Sequence, residues 1–240
     1  MPIFNLLLFI ITLLAGSVPL WFKGLNDRSM NLLLAFSGSF LLSITFLHLL
    51  HETFEELHAT AGLYLLIGFF LQLIIQRFTH GIEHGHVHTD GHDHHVPLGS
   101  ILAGLGLHAF MEGLPLGFNY TEEATGPSLY LAVAAHKLPE IILATTLVLG
   151  IKGRQQALLT LVIFSLLTPA GSMLASLMSQ KYSFMMQVRT ILIPVVAGSF
   201  IHIATTIFFE SGTKQHLLTW QKVFAILLGV GIGLLSLFFE

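Results

Sequence analysis

The chain has 240 residues, of which 54% are hydrophobic and 10% are charged, and its mean hydropathy is +0.80. An ordinary soluble domain carries roughly 25% charged residues, so this composition excludes that class. The absence of cysteine excludes disulfides and thiolate metal sites, and a net charge of -3 offers no basic surface for nucleic acid. We therefore expect an all-α membrane protein with a single polytopic domain, 1–240.

Eight long apolar segments follow one another along the chain. A bilayer core needs ~20 apolar residues per helix, so each segment predicts one transmembrane helix of an eight-helix bundle. The first segment has no Lys or Arg before its apolar run, which favours a span over a signal peptide. The segments are Pro2–Phe22, Met30–Leu50, Ala61–Gln76, Pro97–Phe118, Gly126–Ile151, Gln155–Ser179, Arg189–Phe209 and Leu217–Phe239.

The basic residues of the connections predict the orientation, because cytoplasmic loops retain Lys and Arg. If both termini lie on the outer side, the outer connections hold only Lys181 and Arg189. The inner connections then hold Lys23, Arg28, Arg77, Lys152, Arg154, Lys214 and Lys222. We therefore expect a multi-pass protein of the cell membrane, or of the inner membrane in a bacterium, with both termini outside.

The second segment ends in a group of polar residues at helical spacing. His48, His51 and Glu52 lie near its outer end, followed by Glu56. They indicate either an entrance that gathers cations or simply a solvated helix end.

The connection between the third and fourth segments, 79–97, is rich in histidine. Gly and polar residues keep it from packing, so we expect a mobile cytoplasmic loop. Its imidazoles suit borderline divalent metal ions, although a solvated linker or a tag-like tract has the same composition. The candidate loop ligands are His84, His86, His88, His92, His94 and His95.

The fourth and fifth segments each carry the pattern His-x-x-x-Glu near their centres. His108 and Glu112 form the first pair, and His136 and Glu140 form the second. Residues four apart share one helix face, so each helix presents an imidazole and a carboxylate together. Ionisable groups at bilayer depth are expensive and usually mark an ion path. Two such faces would supply the donors that zinc, iron(II) and manganese accept.

Other features of the membrane segments are weaker signals. Pro115 and Pro139 each leave a carbonyl without its helical donor, which predicts kinks beside the polar residues. His202 in the seventh segment is either a group that supports or gates the metal site or a core histidine bonded to a neighbouring backbone.

These motifs together resemble the ZIP family of divalent metal transporters. HAFMEGLPLG (His108–Gly117) is similar to the family's fourth-span motif, and HKLPE (His136–Glu140) is similar to the fifth. Weaker similarities are FLHLLHETFEEL (Phe46–Leu57), LLTPAG (Leu166–Gly171) and AGSFIHIATTIFFE (Ala197–Glu210). The resemblance implies a metal path between the fourth and fifth spans. It also implies principal ligands at His108, Glu112 and Glu140, and a histidine loop that receives or senses cytosolic metal.

Two positions depart from the family pattern. Some family members hold a second metal with an Asn after the first His and an Asp before the Pro-Glu. Those positions are Ala109 and Lys137 here. We therefore expect one transported metal, with the Lys137 ammonium standing in for a second cation and balancing Glu112 and Glu140.

The function expected from these observations is transport of a divalent transition metal into the cytosol, not catalysis. The metal, zinc or iron first and then manganese, cobalt, nickel or cadmium, would be the substrate, and no catalytic cofactor is expected. The lipid bilayer is the expected environment, and small residues on several spans would permit a homodimer. Two alternatives remain: an intramembrane zinc hydrolase that uses the same His and Glu residues, and a metal-responsive receptor.

Overall fold

The computed structural model describes residues 2–22, 25–79, 97–120, 125–210 and 219–239. These residues contain helices and no strand, which confirms the all-α fold. The α-helices are α1 (Pro2–Trp21), α2 (Asp27–Ile44), α3 (Leu50–Leu57), α4 (Ala61–Thr79), α5 (Leu98–Leu116), α6 (Thr125–Lys152), α7 (Arg154–Lys181), α8 (Met185–Glu210) and α9 (Trp220–Ser236).

Each of the eight predicted segments overlaps one of the long helices, and the second extends further than expected. After Ile44, α2 continues through a π-helical turn, Thr45–Leu49, into the short helix α3. A 3-10 turn, His58–Thr60, then leads into α4. The polar end of the second segment is therefore a helix with its own packing contacts.

Five helical stretches are long and apolar enough to cross a membrane, judged by length and composition. They are Pro2–Trp21, the continuous stretch Asp27–Thr79, Thr125–Lys152, Arg154–Lys181 and Met185–Phe208. Helix α5 has 19 residues and is not among them, and α9 is shorter. The count of eight spans and the side on which the termini lie stay predictions.

Local signals explain several helix boundaries. The side chain of Asn26 accepts a hydrogen bond from the backbone of Ser29 at 2.8 Å, which caps the start of α2. Thr219 caps α9 in the same way through Lys222. Gly153 separates α6 from α7 with a φ of +79°, a conformation that costs glycine little. The two caps and the turn at Gly153 thus determine where these helices begin and end.

The helices pack pairwise, and small residues bring several pairs into backbone contact. The most extensive pairs are α2 with α9, α4 with α8, α5 with α7, and α1 with α6. Gly68 and Gly198 make the close contact between α4 and α8, while Gly229 and Gly233 lie against α2. Large apolar side chains such as Leu66 face outward, as expected for a surface in contact with lipid.

Candidate metal centre

Helix α5 is positioned by a face of small residues that lies directly on α7. Ala109, Gly113 and Gly117 recur every four residues and so form one stripe. A Cβ atom on Gly113 would lie 2.0 Å from the carbonyl oxygen of Thr168, so the two backbones are in contact. The Thr168 hydroxyl donates a hydrogen bond to the Ala109 carbonyl at 2.9 Å. This contact fixes the rotation of α5 and the direction of its polar residues.

Helix α6 is held to α1 and α7 by a buried hydrogen-bond junction. The Tyr130 hydroxyl donates to Oδ1 of Asn5 at 2.8 Å and lies 2.9 Å from the hydroxyl of Ser172. Buried polar groups that satisfy one another specify a single packing arrangement. The junction therefore fixes α6 less than two turns before His136.

The two His-x-x-x-Glu faces meet in the interior of the bundle. His108, Glu112, His136 and Glu140 each offer a ligand atom, and these atoms all lie within 4.8 Å of one another. Nε2 of His108 is 3.1 Å from Oε1 of Glu112, and Nε2 of His136 is 3.6 Å from the same oxygen. No side chain of the four is more than 2% exposed. Two imidazoles and two carboxylates thus converge on one small volume away from solvent.

Lys137 completes this cluster. Its Nζ lies 2.6 Å from Oε2 of Glu112 and also donates a hydrogen bond to Oε2 of Glu140. Oε1 of Glu140 has no hydrogen-bond partner among the described residues. In both carboxylates, therefore, Oε2 contacts the ammonium, and Oε1 of Glu112 lies toward the histidines. A buried charge of this kind is tolerated only with such partners.

The second-segment residues engage other partners. His48 lies within the π-helical turn, and its Nε2 is 2.7 Å from the hydroxyl of Ser236. Exposed His51 lies 3.3 Å from Glu55, and buried Glu52 contacts Arg189. These residues do not belong to the converging His/Glu group, and no second group of this kind is found in the part of the chain that the structure describes. Their role at an entrance stays a prediction.

His202 lies against α4. Its Nε2 is 2.7 Å from Oε1 of Gln76, and its ring meets the ring of Phe69 edge-on at 4.7 Å. This is the environment of a core histidine, and the partner of its Nε2 is the side chain of Gln76. Its role as a gating or supporting group stays a prediction.

A second buried ionic cluster was not anticipated from the sequence. Nη2 of Arg189 contacts Oε1 of Glu52 and lies 3.1 Å from Oε1 of Glu56. Cζ of Arg189 is 6.0 Å from the ring centroid of Tyr120. Burial, and then the charge of Glu52, raise the pKa of Tyr120, so this phenol stays protonated. The only sequence signal was an acidic pair four residues apart, because its basic partner is far away along the chain.

The proposed ligands of the histidine-rich loop lie outside the described residues. These are His84, His86, His88, His92, His94 and His95. Pro115 and Pro139 lie inside α5 and α6, in the same helices as the converging group.

The chain matches the sequence model of a known protein family. The sequence model of the family described as ZIP Zinc transporter matches residues 98–237, a stretch that includes both His-x-x-x-Glu motifs. No individual curated protein matches the chain.

Proposed function

Because this chain belongs to the ZIP zinc transporter family, we propose that it carries divalent transition metal ions, zinc or iron in the first place, across a cell membrane into the cytosol. The observation that supports this most directly is the buried group of two histidines and two glutamates with ligand atoms within 4.8 Å. Ionisable side chains at such depth are costly and are retained where an ion passes.

The donor set suits a metal that binds and leaves. Neutral imidazole and carboxylate oxygen accept zinc, iron(II), manganese, cobalt, nickel and cadmium, and the chain has no thiolate to hold zinc permanently. We propose that His108, Glu112, His136 and Glu140 supply one donor each. Four donors of this kind match the tetrahedral preference of zinc.

The contacts of Lys137 favour a single metal. The Lys137 ammonium contacts Oε2 of each glutamate. Oε1 of Glu112 is directed toward the histidines. Oε1 of Glu140 has no hydrogen-bond partner among the described residues. One metal ion could therefore bind the Oε1 atoms while the ammonium keeps the Oε2 atoms. Lys137 would then provide the positive charge that a second metal provides elsewhere in the family, and Ala109 offers no replacement ligand.

Metal flux into proteoliposomes tests this proposal. Glu140→Gln keeps the side chain's shape but removes its charge and should abolish uptake, as should His108→Ala and Glu112→Ala. Glu55→Gln is the matched control, because Glu55 is exposed, lies outside the converging His/Glu group and contacts His51 in its own helix. Deletion of 79–97 should change the rate or the regulation of uptake without abolishing it. If His108→Ala and Glu112→Ala both transport normally, the site is elsewhere.

The same experiment separates transport from the alternatives. A zinc hydrolase would retain its metal, turn over lipid or peptide, and give no flux. A metal-responsive receptor would bind metal without either activity. Uptake should also weaken as the medium is acidified, because bound imidazole must be neutral and bound carboxylate ionised.

A further inference from the structure

The ionic cluster of Arg189, Glu52, Glu56 and Tyr120 joins α3, α8 and the residues that follow α5, and we call it the Arg189 cluster. Arg189 lies near the start of α8, and both glutamates lie on α3. The Arg189 and Glu52 side chains are only 10% and 9% exposed. An ion pair so well shielded is much harder to separate than one at the surface.

This cluster contacts α5 at its C-terminal end, which follows Glu112 in the sequence. The Tyr120 hydroxyl donates to the carbonyl of Pro115 at 2.8 Å. Pro115 follows Glu112 by three residues, which is roughly 5 Å along a helix axis. Tyr120 is thus tied to the C-terminal end of α5, and its ring centroid lies 6.0 Å from Cζ of Arg189. The distribution of Lys and Arg predicts that this end faces outward.

Helix α3, whose Glu52 pairs with the Arg189 guanidinium, is bounded by irregular turns. The π-helical turn Thr45–Leu49 precedes α3, and the 3-10 turn His58–Thr60 follows it. His58 has a φ of +47°, which is unusual for a residue other than glycine. Turns of these kinds inside a helical stretch often mark a functional hinge.

We propose that the Arg189–Glu52 pair is the outer gate of the metal path: while paired, it closes the C-terminal end of α5, and the positive guanidinium bars cations. This inference rests on the proposed transport function. Opening requires α3 to carry Glu52 away from Arg189, so the gate has two discrete arrangements separated by the cost of breaking a buried pair. Tyr120 couples the gate to α5 through its hydrogen bond to Pro115.

The chain contains no cysteine, so one introduced thiol can report on access. Ala132 is fully buried on α6, one turn before His136 on the same face, toward the C-terminal end of α5. In proteoliposomes, Ala132→Cys should react slowly with small, membrane-impermeant thiol reagents. Adding Arg189→Gln should speed the reaction at least about tenfold, because it removes the positive charge that holds buried Glu52 in the closed arrangement.

Reagent charge distinguishes a gate from a merely structural ion pair. Glu52→Gln should accelerate a neutral methanethiosulfonate reagent but not a quaternary ammonium one of similar size, because the guanidinium remains on the route. Arg189→Gln should accelerate both. Arg189→Lys should stay slow. Arg28→Gln is the control, since Arg28 bonds Gln221 at the opposite end of the bundle, and it should have no effect.

Unchanged labelling in a folded, monodisperse Arg189→Gln protein would overturn the gate, as would equal responses to both reagents in Glu52→Gln. If Arg189→Gln does not fold, Glu56→Gln replaces it, because this variant removes the ion pair between Arg189 and Glu56 at 3.1 Å and keeps Glu52. It should still accelerate labelling, but by less. Unchanged labelling in Glu56→Gln also counts against the gate. Labelling does not require flux. Labelling that responds as described without metal uptake would refute the transport function alone, and normal uptake with unresponsive labelling would refute the gate alone.

Discussion

Alanine at Gly113 should force α5 away from α7, whereas alanine at Gly106 on the same helix should not. The new Cβ at Gly113 would lie 2.0 Å from the carbonyl oxygen of Thr168, and a backbone atom cannot rotate aside. At Gly106 the nearest atom is a flexible methyl of Leu167 at 3.4 Å, an ordinary contact. The first substitution therefore demands a helix displacement of roughly 1 Å, a size that already impairs precisely positioned sites.

The expected energies follow from these contacts. Overpacking typically costs about 1–3 kcal/mol, and replacing a helical glycine with alanine returns up to about 1 kcal/mol. Gly113→Ala should thus lose up to roughly 2 kcal/mol of stability, while Gly106→Ala should gain up to about 1 kcal/mol. Because Glu112 adjoins Gly113, the metal affinity of Gly113→Ala should also fall, by about 10- to 100-fold, as when groups that orient metal ligands are lost.

Two measurements on detergent-purified protein test this reasoning. Thermal unfolding followed by circular dichroism reports the stability, and isothermal titration with zinc reports the affinity. The control Gly106→Ala should bind zinc as the wild type does. If the two alanine variants unfold and bind alike, the backbone contact between α5 and α7 does not position the site.

Three further predictions concern side chains in the interior. Lys137→Asp should allow a second metal, so the ratio of bound metal to protein should rise by one; equal ratios in the variant and the wild type would contradict the charge-balancing role. Tyr130→Phe should cost about 1–3 kcal/mol of stability, because it leaves buried polar partners unpaired, and exposed Tyr182→Phe should not; equal melting points would refute the junction. His202→Leu should leave zinc affinity unchanged, since His202 bonds Gln76, and a large loss would place it at the site.

Spacing along a helix predicts one part of the candidate site, the two His/Glu pairs. A repeat of four places His108 above Glu112 and His136 above Glu140 on any α-helix, so each pair follows from the sequence. That the two pairs meet is a tertiary fact. It depends on the glycine contacts of α5 with α7 and on the Tyr130 junction of α6, which no local pattern reveals.

The Arg189 cluster illustrates what local patterns miss. Glu52 and Arg189 are separated by 137 residues, and each taken singly is an ordinary charge near the end of an apolar segment. His48 and His202 also have partners far away in the sequence, because His48 bonds Ser236 and His202 bonds Gln76. Burial and partner choice depend on how helices pack, so the roles of such residues could not be deduced from their neighbours in sequence.

The sequence by itself determined the class of this protein, because long, continuous apolar runs with little charge are typical of helices that span a bilayer. It also determined the chemistry available, since imidazole and carboxylate at helical spacing can serve the same ions in any bundle. Only the tertiary structure decided which oxygens of Glu112 and Glu140 contact Lys137, and that the Arg189 guanidinium pairs with Glu52. The physical reason is that charge pairing inside a membrane depends on distances of a few ångströms between helices, which packing alone sets.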